Sequence, residues 1–557
     1  MIKRKPILLL LILLLNLIFY VNVNTATTQN YIPIKDDFDR SGIPKNILLG
    51  SYVGGRSHVK PMLDVVAILI ERGYNVTLLA SGRYEPSSEY PGLNQITLGP
   101  RLGVKELRRT ITYEEHYKRF SRFIEISRNG YKETYEKYKK AAIEYNIDLF
   151  FCDVLGNDAC IDIANNLKKP VVVWSSALQF MDPVPYKNDP LYGCNISLEN
   201  ESFFERFRCA LIQPLQIAYT MGRIGPPAHQ LNNIRELMNI NTSSGQMPKV
   251  SLSLVDTFFG FELPQPLPPN VQEVGPVLSK EYPPLTPELS NFINTHKRVL
   301  YVAFGTRFIT NTENNNKILQ SFVEAINRKI VDGVVWPLIE TSKDNFYPTL
   351  KLTDGTQMQT LPILNNKHPH IHITKFVPQF SVLNHTNTKL FFSHGGAGST
   401  HESLYTGTPM LVLPLGGDQM GNSQKLKSAG VALTLNELAL DVSDILNKMS
   451  ILLEDEKIKK NIKKMEVLTK INSRRKYRAA DLIEYILHSS GLEEYVNDDF
   501  LKEWAPAPSR MGFIKANNLD VYGALLGIFL TLIGGIAFKL FKLISNSSSI
   551  KIKSKKA

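Results

Sequence analysis

Cysteine is scarce in this chain, at four in 557 residues. No metal-ligand spacing appears among them, and no metal or cofactor is expected. Evenly spread positive charge is missing too. The formal charge is +12, but Lys3, Arg4, Lys5, Lys539, Lys542, Lys551, Lys553, Lys555 and Lys556 supply nine of it at the two ends, leaving +3 for the rest. No basic stripe with interleaved aromatics crosses the interior, which argues against nucleic acid as a partner.

Two charge-free apolar runs stand out, one near each end. Ile7–Ile18 follows a basic start and precedes small or polar residues through Ala26, the pattern of a signal peptide over residues 1–26. Val521–Phe538 is 18 residues without a charge, enough for a membrane span placed at 521–541. Asp520 precedes it, and six lysines with no acid follow it. The positive side faces the cytosol. A single-pass type I protein is expected, with a lumenal body and a basic cytosolic tail at 542–557. The ending Lys553-Ser554-Lys555-Lys556-Ala557 is similar to a dilysine retrieval signal, which places the protein in the endoplasmic reticulum. Gly523 and Gly527 form a G-x-x-x-G in the span, the feature that would serve a homo-oligomer.

Cys152 and Cys160 fall in a predicted strand and the helix after it, and are expected as buried thiols. Cys194 and Cys209 flank a polar loop. Four cysteines allow three pairings, and Cys194 with Cys209 is favoured; closing a ~15-residue loop contributes about 3 kcal/mol in the chain-entropy model. Asn195, Asn200 and Asn241 open N-x-S/T sequons in the same polar region and are glycosylation candidates. Asn75 and Asn384 open sequons as well, but Asn75 starts a predicted buried strand and is not expected to be used.

Between the ends, strands and helices alternate. Asn46–Gly50 is a short apolar run closed by Gly54 and Gly55, with a helical stretch from Pro61 to Arg72 and the next strand at Asn75–Ala80. Asp148–Cys152 and Pro170–Trp174 continue the series. The Pro-rich Leu263–Pro269 and Pro276 mark a linker at 263–278. The pattern restarts with strands at Val299–Phe304, Leu390–Ser393 and Met410–Pro414. Such alternation predicts an α/β chain with parallel sheets and helices on both faces. Ligands then bind outside the strand carboxyl ends. Domains are expected at 27–262 and 279–472, with helices at 473–515 returning to the first. Tyr113–Tyr145 is expected to be a mostly solvated amphipathic helix, and Phe180–Phe207 a region for acceptor selection.

The most informative stretch is Phe376–Gln379 (FVPQ) followed by Phe392–Gln419 (FSHGGAGSTHESLYTGTPMLVLPLGGDQ). Each residue type suits one part of a nucleotide sugar. Gly395, Gly396 and Gly398 let backbone approach a pyrophosphate, and the N–H groups of a following helix favour anions. His394 can donate to the same phosphates. Glu402 can accept two hydrogen bonds from a ribose diol. Asp418 and Gln419 suit sugar hydroxyls, and Phe376 offers a flat face for a base. The structural alternative is that Ser399 to Glu402 is an S-x-x-E capping box.

This order of residues resembles the signature of the family 1 UDP-glycosyltransferases, inverting enzymes that include glucuronosyl- and glucosyltransferases. The resemblance runs from about Asn46 to the C-terminus. Phe376 stands where the family usually has Trp, and Ala397 and Gly398 stand where the plant branch has Trp and Asn, so the chain is closer to the animal and fungal branch. The resemblance implies a GT-B fold, two Rossmann-like halves with a cleft between them. It also implies a hexosyltransferase that moves a sugar from a UDP-sugar to a lipophilic hydroxyl. Thr306, in Phe304-Gly305-Thr306, and Gln379 and Ser399 join the donor contacts.

Inverting transfer needs a base at the acceptor hydroxyl. His58, in Gly54-Gly55-Arg56-Ser57-His58 just after the first strand, is the candidate. Asp153, directly after the strand DLFFC, is its candidate partner, with Asp148 and Asp158 close by in sequence. Two other readings remain: a non-catalytic carrier or subunit that binds a UDP-sugar or lipid, and a hydrolase or phosphorylase on the same architecture.

Overall fold

A computed structural model describes residues 39–82, 93–100, 123–177, 186–188, 190, 193–223, 227–240, 250–305, 310–338, 343–490 and 511–553. The signal peptide expected at 1–26, Thr306 and Asn241 lie outside these residues. Upstream of Pro44, the amide and hydroxyl of Ser41 both donate to Asp39. From Pro44 onward the chain forms one compact unit.

That unit is organised by two parallel sheets. The first contains β1 (Asn46–Ser51), β2 (Asn75–Ala80), β3 (Leu93–Thr97), β4 (Leu149–Asp153), β5 (Val171–Ser175), β6 (Leu252–Val255) and β7 (Val271–Glu273), in the order β3-β2-β1-β4-β5-β6-β7. A two-stranded hairpin, β10 (Thr349–Lys351) and β11 (Gln357–Gln359), stands apart. The second sheet holds β8 (Val299–Ala303), β9 (Gly333–Pro337), β12 (Ile371–Thr374), β13 (Thr388–Ser393), β14 (Met410–Val412) and β15 (Ala432–Thr434), in the order β12-β9-β8-β13-β14-β15. Counted within each half, both sheets begin 3-2-1-4-5-6, the doubly wound order whose ligands sit at the strand carboxyl ends. The central strands are buried along their whole length. Strands covered on both faces are continuous apolar runs, which is why they stand out in the sequence.

The principal helices are α1 (Arg56–Glu71), α2 (Tyr131–Glu144), α3 (Asp158–Asn166), α4 (Thr312–Asn327), α5 (Ala397–Thr406), α6 (Asp418–Ser428), α7 (Arg475–Ser490) and α8 (Leu519–Lys553). α7 packs on the first half: Arg72, at the end of α1, pairs with Glu484 at 2.8 Å and Asp481 at 2.7 Å, and the Tyr74 hydroxyl donates to Glu484. α8 carries 26 consecutive residues, Leu519–Ile544, of mean hydropathy 2.1 with none buried, long and apolar enough to cross a bilayer.

Five local expectations change. α1 begins at Arg56 rather than Pro61, so Pro61 sits in the second turn and His58 in the first. The segment expected as a linker at 263–278 contains β7, which adds to the first sheet. Tyr131, Tyr135 and Tyr138 of α2 are buried against α3 and the sheet, not solvated; their spacing is a core stripe. Asn75 is the exposed end of its strand, although its Nδ2 is held by Asn46. Cys152 and Cys160 are not separate thiols. The end of β4 faces the first turn of α3, and the two are joined, as are Cys194 and Cys209.

Candidate active site

The first group forms where β1 ends and α1 begins. Gly54 has φ +58°, and a Cβ there would lie 1.9 Å from the Ser81 carbonyl oxygen, so only glycine lets the β1 loop press against the end of β2. Gly55 then starts α1, and its carbonyl accepts the His58 amide at 2.9 Å. His58 is thereby held at the carboxyl edge of the sheet with its side chain 24% exposed. Its Nδ1 lies 3.4 Å from Oδ2 of Asp153, which is 2% exposed. The other acids near it in sequence point elsewhere. Asp148 sits at the opposite end of β4, where it accepts the Asn46 amide and lies 3.6 Å from Lys169. Asp158 pairs with Arg128 at 2.5 Å.

Asp153 is fixed from several sides. The Ser51 hydroxyl donates to its Oδ2 at 2.9 Å, and the Leu155 amide to its Oδ1 at 3.2 Å. Asn157, fully buried, closes the loop after β4 by donating to the Gly50 carbonyl at 3.0 Å, and the Tyr138 hydroxyl donates to Asn157 at 3.1 Å. Ser51, Asn157 and Tyr138 were not singled out from the sequence. The available signal was a polar residue, Ser51, directly after the apolar run Ile47–Gly50.

The second group forms around the start of α5. Gly305 has φ +74°, and a Cβ on Gly305 or Gly396 would lie 2.6 or 2.7 Å from Nε2 of His394. The two glycines therefore make room for that ring at the helix N-terminus. Burial pushes His394 down to about 4, partly offset by the Ala303 backbone, so at neutral pH it is an uncharged imidazole. Gly396 is the N-cap of α5 and no side chain caps it, so the S-x-x-E capping box does not form; Ser399 lies inside the first turn. Gly398 faces open space.

Gln379 ties this group together. Its Nε2 donates to Ser399 at 3.2 Å and to Glu402 Oε2 at 2.8 Å, and the Tyr301 hydroxyl donates to its Oε1 at 3.3 Å. Phe376 is 62% exposed and presents a free aromatic face. Gln419 is almost fully buried, and its Oε1 accepts the Leu415 amide at 2.8 Å, which leaves its NH2 end for other contacts.

Asp418 opens α6 and accepts from Asn422 at 3.0 Å. Desolvation pushes its carboxyl up, opposed first by the charge of His58 and then by the Ala397 amide and Lys425. His58 of the first half and Asp418 of the second are thus close enough to influence each other electrostatically.

Behind both groups lies a buried polar seam. Glu262, in the segment between β6 and β7, pairs with Lys425 of α6 at 3.0 Å, both nearly fully buried. Asp256 lies 3.6 Å from His401 of α5. By distance this is an ion pair, but burial pushes Asp256 up to about 7 and His401 down to about 3. The contact is better described as a carboxyl only partly ionised at neutral pH beside a neutral imidazole. Among the described residues no three His, Cys, Asp or Glu side chains cluster as a metal site.

The model of the UDP-glucoronosyl and UDP-glucosyl transferase family matches residues 199–555. A UDP-glycosyltransferase of Talaromyces amestolkiae is 29% identical over 517 residues, covering 88% of this chain and 96% of that protein. UDP-glycosyltransferase 1 of Phaeomoniella chlamydospora is 30% identical over 425 residues, covering 73% and 83%. UDP-glucuronosyltransferase 2B9 of Macaca fascicularis is 24% identical over 512 residues, covering 86% and 89%. Among solved structures, the glycotransferase of kitacinnamycin aligns with a TM-score of 0.54 at 17% identity, covering 80% of this chain and 99% of that one. A UDP-glucosyltransferase from Polygonum tinctorium aligns with 0.53 at 17% identity and the same coverage. Both likenesses bear on the fold, which is GT-B.

Proposed function

The chain belongs to the UDP-glucuronosyl and UDP-glucosyl transferase family and transfers sugar from a UDP-sugar, and from that premise we propose its particular reaction. A hexosyl or glucuronosyl group passes, with inversion, to the hydroxyl of a lipophilic acceptor. The observation that carries this reading is the His58–Asp153 contact at the carboxyl edge of the first sheet.

An alcohol is a weak nucleophile, so the acceptor proton must leave as the new bond forms. Nε2 of His58 takes it, while Asp153 at Nδ1 fixes the tautomer and stabilises the imidazolium. The acceptor oxygen attacks the anomeric carbon from the face opposite UDP. The bond to the departing phosphate oxygen breaks, and its electron pair leaves with UDP. That charge is met by the N-terminal amides of α5, Ser399 and neutral His394 at the Gly305–Gly396 crevice, a donor set that does the work without a metal ion. Phe376 stacks on the base, Glu402 holds the ribose diol, and Asp418 and Gln419 bind the sugar hydroxyls. A carrier without catalysis would have no use for a buried carboxylate aimed at a partly exposed histidine. UDP release across a panel of UDP-sugars with sterol, phenol and sphingoid acceptors tests the reaction. Release with no glycosylated product from any acceptor would reject it.

Glu402→Ala is expected to raise the donor KM by about ten-fold, the scale of a hydrogen bond to a charged group, with little change in melting temperature. No helix cap is lost, because Gly396 and not Ser399 caps α5. A lower melting temperature with an unchanged donor KM would return Glu402 to a structural role.

We place the body in the lumen of the endoplasmic reticulum, anchored by α8. An apolar acceptor dissolved in the bilayer would then lie close to the cleft. Phe203, Phe204, Phe207, Leu215 and Tyr219 stand 48–79% exposed along 203–223, which supports a lipid-facing body. Asn195 and Asn200 are exposed beside the Cys194–Cys209 loop. Glycosidase treatment should shift the protein's mobility, and changing Asn195, Asn200 and Asn241 to Gln should abolish most of that shift. Asn546, beyond the span, should carry no glycan. A glycan there, or loss of the whole body to protease in sealed microsomes, would overturn the orientation.

A further inference from the structure

We propose that Ser51 is a positioning residue for the His58–Asp153 pair. This rests on the reading of that pair as the catalytic base. Ser51 ends β1, fully buried, one step beyond the pairing of Gly50 with Cys152 in β4. Its hydroxyl donates to Oδ2 of Asp153 at 2.9 Å, the same oxygen that faces His58 Nδ1 at 3.4 Å. The direction of that bond is fixed. The Gly54 amide donates to Ser51 Oγ at 3.3 Å, so Ser51 is the acceptor there, and its single proton is left for Asp153.

Two consequences follow from this geometry. The carboxylate is held on both oxygens, by Ser51 on Oδ2 and by the Leu155 amide on Oδ1, so its plane cannot rotate away from the imidazole. The same hydroxyl also grips Gly54, four residues before His58, at the turn that aims α1. Ser51, fully buried, therefore sets both partners of the base pair.

Ser51→Ala should lower kcat by about ten-fold, the scale of one hydrogen bond to a charged group, while the donor and acceptor KM stay within about two-fold. Ser51→Thr, which keeps the hydroxyl, should recover most of the loss. The deciding measurement is a double-mutant cycle with His58→Ala. If Ser51 acts through His58, adding Ser51→Ala to His58→Ala changes the residual rate by less than about two-fold. Losses that multiply, or a Ser51→Ala enzyme that keeps more than half of the wild-type kcat, would overturn the proposal. A His58→Ala enzyme with normal turnover would instead refute the base assignment on which it rests.

Discussion

Replacing His58 with alanine should cut transfer by at least about 100-fold while leaving UDP affinity nearly unchanged. A positioned base contributes roughly 100- to 10,000-fold to such a step. His58 lies on the first half, whereas the residues assigned to UDP lie on the second, so its removal spares the donor site. The split between kcat and UDP affinity is therefore the informative result. Near-normal turnover would sink the assignment. A fall in both would mean that His58 also shapes the cleft. Asp153→Asn should be milder but still severe. It keeps the size of the side chain but loses the charge proposed to stabilise the imidazolium. An amide nitrogen at the Oδ2 position would also meet the Ser51 proton and His58 Nδ1–H, two donors facing a third. Asp148→Asn should be nearly silent, because that side chain serves the far end of β4.

Much of the frame behind that expectation is legible in the chain itself. Asn75–Ala80 is a strand with the expected bounds, and the strands at Asn46, Val299 and Met410 start where the apolar runs start, because a strand covered on both faces cannot hide polar residues. Misreadings arose where local chemistry competes with tertiary contact. Pro61 looks like a helix start, but it is tolerated within α1 and the true start is set by Gly54 and Gly55. The prolines of 263–278 look like a linker, yet Val271–Glu273 finds an open sheet edge. Tyr131, Tyr135 and Tyr138 look solvated among lysines and glutamates until α3 is placed beside them. At the site, residue types were legible and partners were not. Glu402 could be a cap or a ligand-binding acid from sequence, and Gln379, 23 residues earlier, is what orients it. Cys152 and Cys160 are eight residues apart, but only the strand-to-helix turn shows that they meet.

Lys425→Met should destabilise the folded body by about 3–5 kcal/mol, the cost of leaving one member of a buried ion pair without its partner. Lys425 and Glu262 meet at 3.0 Å with side chains 5% and 2% exposed, 163 residues apart in sequence. Burial alone would push Glu262 up, but Lys425 and the Leu263 amide outweigh it and hold the carboxyl below its usual range. The sign of the pH dependence follows. A lowered carboxyl contributes stability above the unfolded value and loses it as pH falls through the acid range. Without Lys425 the same carboxylate is desolvated and uncompensated, so the variant's deficit should be largest at neutral pH and shrink in acid, where Glu262 is protonated. Adding Glu262→Gln should recover most of the loss, since the amide oxygen can still accept from Leu263 and no buried charge remains. Melting temperatures of the single and double variants across pH decide the matter. A single variant as stable as wild type, or a double variant worse than the single, would mean that the pair is not the lock the geometry describes. The donor KM should follow the same order. Lys425 and Asp418 share α6, so a helix loosened at Lys425 also displaces Asp418, the proposed sugar contact.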